Sequence, residues 1–141
     1  MKIAIGTDHH GFVGKEFIKE QITGVEWLDM GTFDEERTDY PIFAKKVSEA
    51  LLSGEAQQGV LLCGTGVGMA IAANRFPKIY AGLAWNEEIA RLAKEDDNVN
   101  VLVLPADYLL NDQMVAMVKA WQDAQFNEGR YAKRIAMIDS D

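Results

Sequence analysis

Apolar residues alternate between short continuous runs and longer stretches of helical spacing. Met1–Thr7 predicts a first strand, which runs into Asp8-His9-His10-Gly11. Phe12, Val13, Phe17, Ile18 and Ile22 then recur on one helical face, predicting a helix over 12–22. Val25–Met30 predicts a second strand closed by Gly31-Thr32, and 33–40 a polar loop ending at Tyr40-Pro41. Pro41 suits a first helical turn. Ile42, Phe43, Val47, Ala50 and Leu51 mark that helix's buried face, and Gly54 stops it. A third strand, Val60–Leu62, feeds Cys63-Gly64-Thr65-Gly66-Val67-Gly68 and a helix to about Asn74. Ile79–Ala84 predicts a fourth strand. Asn86 is placed as an N-cap, with Glu87 and Glu88 complementing the dipole of a helix to about Glu95. Val99–Leu104 predicts a fifth strand, Asn111 or Asp112 the cap of a long helix, and Arg130–Arg134 a short basic one after Asn127-Glu128-Gly129.

Strands alternating with helices, each strand a nearly unbroken apolar run, predict a parallel sheet covered on both faces. The expected architecture is a single domain over 1–141: a doubly wound, Rossmann-like three-layer α/β/α sandwich with five parallel strands. In such sheets ligands bind beyond the carboxyl ends of the strands, where the winding reverses. With the first and third strands adjacent, Asp8-His9 and Cys63–Gly68 share that cleft.

Composition narrows the function. A net charge of −8 argues against a nucleic-acid binder, which needs a basic face, and leaves room for a small anionic ligand where a few basic residues gather. One cysteine makes no internal disulfide, and no Cys/His spacing suits zinc, so neither metal nor cofactor is expected. No secretory h-region opens the chain and no apolar stretch spans a bilayer, which predicts no membrane partner and a reducing cytoplasm.

The chemistry gathers at Cys63. A strand feeding a glycine-rich turn that opens a helix aims main-chain N–H groups at one point, an anion site. The G-x-G-x-G spacing is neither a Walker loop nor a dinucleotide fingerprint. Met69 stands where a cysteine phosphatase needs Arg, and Cys63 and Pro105 stand where a receiver domain needs Asp and Lys. A thiol at such a helix start is expected to ionise more readily than usual, as nucleophile or as base. His9 can polarise a ligand oxygen while Asp8 holds its tautomer. Arg130 and Arg134, four apart, suit a forked phosphate clamp. A thiol base, an N–H cradle and a phosphate clamp together fit aldose–ketose isomerisation of a phosphosugar through an enediolate.

The motifs Asp-His-x-Gly at 8–11, Arg-Thr-Asp-Tyr-Pro at 37–41, Cys-Gly-Thr-Gly-Val-Gly at 63–68, Ala-Ala-Asn at 72–74, Asn-x-Asn-Val-Leu at 98–102 and Gly-Arg-x-x-x-Arg at 129–134 resemble the type B ribose-5-phosphate isomerase family. Galactose-6-phosphate and allose-6-phosphate isomerases belong with it. The resemblance implies a metal-free isomerase, a homodimer or homotetramer whose sites are each built from two chains, with the tail from 129 crossing to the partner. It implies Cys63 as the enediolate-forming base and Thr65 at the ring or enediolate oxygens. The amides of Gly64, Gly66, Val67 and Gly68 would form the anion hole, and Asp8, His9 and Tyr40 would bind the sugar and phosphate end. Arg130 and Arg134 would clamp phosphate. Asp96 stands where the family's ring-opening His is expected, as its substitute in acid–base catalysis, with Asp97 beside it as a binding residue.

Overall fold

The computed structural model describes residues 1–140. Five parallel strands form one sheet: β1 (Lys2–Thr7), β2 (Glu26–Asp29), β3 (Gln58–Cys63), β4 (Ala81–Leu83) and β5 (Val101–Pro105), in the order β2-β1-β3-β5-β4. Between them run α1 (Phe12–Gln21), α2 (Tyr40–Leu52), α3 (Val67–Ala73) and α4 (Glu87–Asp97), followed by α5 (Asn111–Asp123) and α6 (Arg130–Asp139). Both faces of the sheet are covered because successive residues of its central strands point to opposite sides and both sets are apolar. Ile3, Ile5, Val60, Leu62, Leu102 and Leu104 pack against α1, α5 and Ala90 of α4. Ala4, Leu61, Cys63, Val101 and Val103 pack against α2 and α3. The expected three-layer sandwich is therefore the observed one.

Winding reverses between β1 and β3, which pair directly from Ile3↔Gln58 to Thr7↔Leu62. Their carboxyl ends thus open side by side. Several boundaries differ from the sequence reading, and two of them have a direct cause in hydrogen bonding. The fourth strand is only Ala81–Leu83, because the N–H of Ile79 turns back to Phe76 O and that of Tyr80 goes to Asn100 Oδ1. The long helix begins at Asn111 rather than being capped by it. Gln113 Oε1 accepts the N–H of Leu110 at 2.8 Å there, in the manner of a capping box. Asn86 does cap α4, its Oδ1 accepting the N–H of Ile89 at 2.8 Å.

Beneath the loop after β2 lies a wholly buried lysine. Lys15 Nζ reaches Asp29 Oδ2 at 2.5 Å, and Lys19 joins the same oxygen at 2.7 Å. Asp29 Oδ1 accepts the N–H of Gly31 at 2.9 Å, so the pair also ties down the start of the 30–39 loop.

Candidate active site

The carboxyl end of β1 turns sharply onto β3. Asp8 Oδ1 accepts the N–H of His10 at 3.0 Å and caps the 3-10 turn His9–Gly11. The turn lies so close to β3 that a Cβ on Gly11 would stand 2.6 Å from Leu62 Cβ and 2.2 Å from Thr7 Oγ1. Only glycine lets it settle there. Asp8 ends up buried beside Cys63, and burial pushes its carboxyl above the ordinary 3.8, outweighing the N–H groups of His10 and Gly11 and the nearby imidazoles.

Beyond Cys63 the chain makes its tight turn at Gly66, whose φ of +77° is one that glycine adopts freely. This aims the Gly66 N–H at Cys63 Sγ, 3.2 Å away. The Val67 N–H goes to Thr65 Oγ1 at 3.2 Å. The thiol is 5% exposed. Its ionisation differs from the expectation. Burial pushes it above the ordinary 9.0, and the adjacent Asp8 charge pushes the same way. The N–H groups of Met69, Gly66 and Thr65 favour the thiolate but do not offset the desolvation. The helix start lowers the cost of the anion; the dry strand end sets the balance.

Tyr40, at the first position of α2, closes the cleft from the other side. A Cβ on Gly68 would meet the Tyr40 ring at 2.6 Å, so the phenol lies directly on the glycine turn. His9 Nδ1 accepts the N–H of Thr38 at 3.2 Å, which leaves the proton on Nε2 and ties the 30–39 loop to the site. Asp8, His9, Tyr40, Cys63, Thr65, Gly64, Gly66, Val67 and Gly68 are thus brought together.

Asp96, Asp97, Arg130 and Arg134 are not. The two acids end α4 just before β5 begins, whereas Cys63 pairs with Pro105 at the other end of that strand. Five strand residues separate the two levels by roughly 16 Å. Asp96 accepts a hydrogen bond from Asn127 Nδ2 at 3.4 Å. Asp97 lines a 530 Å³ hollow with Tyr80, Ile135 and Ile138. α6 packs on its own chain's α4, has no buried residue, and holds both arginines exposed around Tyr131.

The sequence reading missed one pair. His10 Nδ1 lies 3.1 Å from Asp107 Oδ1 and 3.0 Å from its Oδ2, and Asp107 donates its N–H to Gly64 O at 3.0 Å. No spacing rule joins residues so far apart; the only signal was that both follow strand ends. Among the described residues no group of three His, Cys, Asp or Glu is arranged to hold a metal, and no helix is long and apolar enough to cross a membrane.

A family model described as Ribose/Galactose Isomerase matches residues 3–138. The chain is 40% identical over 139 residues to the ribose-5-phosphate isomerase B of Escherichia coli (strain K12), covering 97% of this chain and 93% of that protein. A crystal structure of a ribose 5-phosphate isomerase from Thermotoga maritima superposes with a TM-score of 0.95 at 45% identity, over 98% of this chain and 97% of that one. The ribose-5-phosphate isomerase B of Mycoplasma genitalium, solved with bound ribulose-5-phosphate, gives 0.93 at 33% identity, over 98% and 93%.

Proposed function

The chain belongs to the ribose/galactose isomerase family and is a sugar-phosphate aldose–ketose isomerase, and we propose that its substrate is ribose 5-phosphate, interconverted with ribulose 5-phosphate. In the minor thiolate form that the N–H groups of Met69, Gly66 and Thr65 support, Cys63 takes the C2 proton of the open aldehyde and returns it to C1, while a proton moves from O2 to O1. Charge develops on the cis-enediolate oxygens, where N–H donors of the Gly64–Gly68 turn and the Thr65 hydroxyl stabilise it. Asp8, His9 and Tyr40 bind the sugar and phosphate end. The observation that carries this reading is the buried sulfur at the end of β3, ringed by main-chain N–H groups and flanked by the β1 turn.

The rest of the site comes from a second copy in a homodimer or homotetramer. Supporting this, Arg130, Arg134, Asp96 and Asp97 sit at the far end of the sheet from their own Cys63. The partner's arginines clamp the phosphate, and its Asp96 accepts the C1 hydroxyl proton in ring opening as the bond from C1 to the ring oxygen breaks and that oxygen takes a proton from water. The cytoplasm is the proposed compartment, since a working free thiol suits reducing surroundings.

Cys63→Ala tests the assignment. Turnover should fall by about 10³-fold or more, while the ribose 5-phosphate dissociation constant stays within a few-fold. Retained turnover refutes it. A second reading, a phosphosugar-binding subunit that needs a different partner for catalysis, is favoured by Asp96 standing where a ring-opening His is expected. Solvent-deuterium exchange at C2 of ribose 5-phosphate by the homomer decides between them.

A further inference from the structure

The His10–Asp107 pair has no part in the reaction just described, yet it lies against the turn that follows Cys63. A Cβ on Gly64 would stand 2.6 Å from Asp107 Oδ2 and 3.4 Å from His10 Nδ1. The His10 ring is 4.4 Å, centroid to centroid, from that of His9, and both members of the pair are half-exposed. A carboxylate only accepts hydrogen bonds, so His10 Nδ1 carries a proton toward Asp107. Nε2 is then the variable atom. Neutral, it offers a lone pair, and the two residues together bring a net −1 to the lip of an anion site. Protonated, it offers an N–H, and the pair is neutral overall.

Other ionisable groups surround this turn. Asp8 and His9 are on it, and Cys63 faces it from β3. Arg37 and Asp39 flank Thr38 on the 30–39 loop, which reaches this turn through His9, and both are exposed. Tyr108 adjoins Asp107 on the turn after β5. Lys15, Lys19 and Glu16 of α1 are tied into the Asp29 network. The lysines are thereby committed, and the arginine pair of α6 is at the far end of the chain's own sheet. On the His9–Gly11 turn itself, where the Thr38 N–H occupies His9 Nδ1, His10 is the side chain whose Nε2 can take a proton and turn cationic toward an entering anion.

We propose that His10, oriented by Asp107, is a phosphate-binding residue of this site, and that phosphosugar binding takes up a proton at its Nε2. The inference rests on the site assigned above and adds to it the phosphate's contact within the same chain and a pH dependence of affinity. Only the protonated pair offers the anion an N–H without a net negative charge, so affinity should fall as pH rises.

The test uses inorganic sulfate, whose charge is constant over this range, as a competitive inhibitor of ribose 5-phosphate isomerisation. For the wild type, Ki should rise about tenfold between pH 6 and pH 8. His10→Gln should bind sulfate about tenfold more weakly at pH 6 and lose the rise. His10→Arg, a permanent cation with N–H donors, should keep the tight Ki and hold it flat with pH. A merely structural His10 would give neither the flattening nor the rescue. The inference is overturned if sulfate does not inhibit the wild type, or if His10→Gln keeps the wild-type Ki and slope. A wild type that binds sulfate in this pH-dependent way but does not isomerise ribose 5-phosphate refutes the substrate reading instead.

Discussion

Lys15→Met removes the buried cation under the site loop, and its cost can be worked out from its partners. The Lys15 side chain has 0% exposure and that of Asp29 15%. Breaking a buried ion pair by deleting one member costs about 3–5 kcal/mol, because the other charge is stranded. Here it is only partly stranded: Lys19 still donates to Asp29 Oδ2 and the Gly31 N–H to Oδ1. Methionine also replaces the aliphatic stem in a pocket between Phe12 and Phe33. The expected loss is therefore about 2–3 kcal/mol, or a Tm lower by about 4–12 °C for a domain of this size. Urea unfolding and calorimetry measure both. Adding Asp29→Asn should recover part of the loss, since the stranded charge goes with it. The pH dependence has a definite sign. Although burial alone would raise the Asp29 carboxyl, the Lys15 and Lys19 hydrogen bonds and the Gly31 N–H hold it below 3.8. Its contribution is thus present above the unfolded value and lost as pH falls through the lower folded one. The gap between wild type and Lys15→Met should narrow below pH 3.8. A single variant within about 1 kcal/mol of wild type at neutral pH would refute the reasoning.

Titrating the lone thiol by thiolate ultraviolet absorbance, with Cys63→Ala as blank, should give a midpoint above 9.0; a midpoint below that shows that the amides, not burial, govern it. Gly68→Ala forces the Tyr40 ring off the turn and should raise KM for ribose 5-phosphate about tenfold or more, read by steady-state kinetics; unchanged KM removes Tyr40 from the site. Mixing inactive Cys63→Ala and Arg134→Ala chains should restore up to about a quarter of wild-type sites if each site takes parts from two chains, and no activity if each chain builds its own.

The sheet was legible because β1, β3 and β5 are unbroken apolar runs, and a strand buried on both faces needs nothing else. The convergence of Asp8, His9 and Cys63 followed from topology, since strand ends at a winding reversal must meet. What stayed hidden depends on which long-range contact wins. Lys15 reads as a polar residue on a helix surface until Asp29 is found beneath it. His10 reads as the second half of a His-His turn until Asp107 reaches it from beyond β5. The thiol's ionisation misled for a related reason. A helix start is visible in Gly66-Val67-Gly68, but the degree of burial that opposes it depends on α2 and α3 closing over β3. The far placement of Arg130 and Arg134 follows from α6 lying along α4, a packing choice that no spacing in the tail encodes.

The covered position of Cys63 also bears on how the protein ages. Peroxide attacks thiolates that it can reach, and this sulfur is enclosed and protonated at rest. Were a sulfenic acid to form, no second cysteine exists in the chain to condense with it and open a route back. Durability under oxidants is therefore invested in shielding rather than in repair, and every opening of the cleft exposes the one atom that the chain has no means of regenerating.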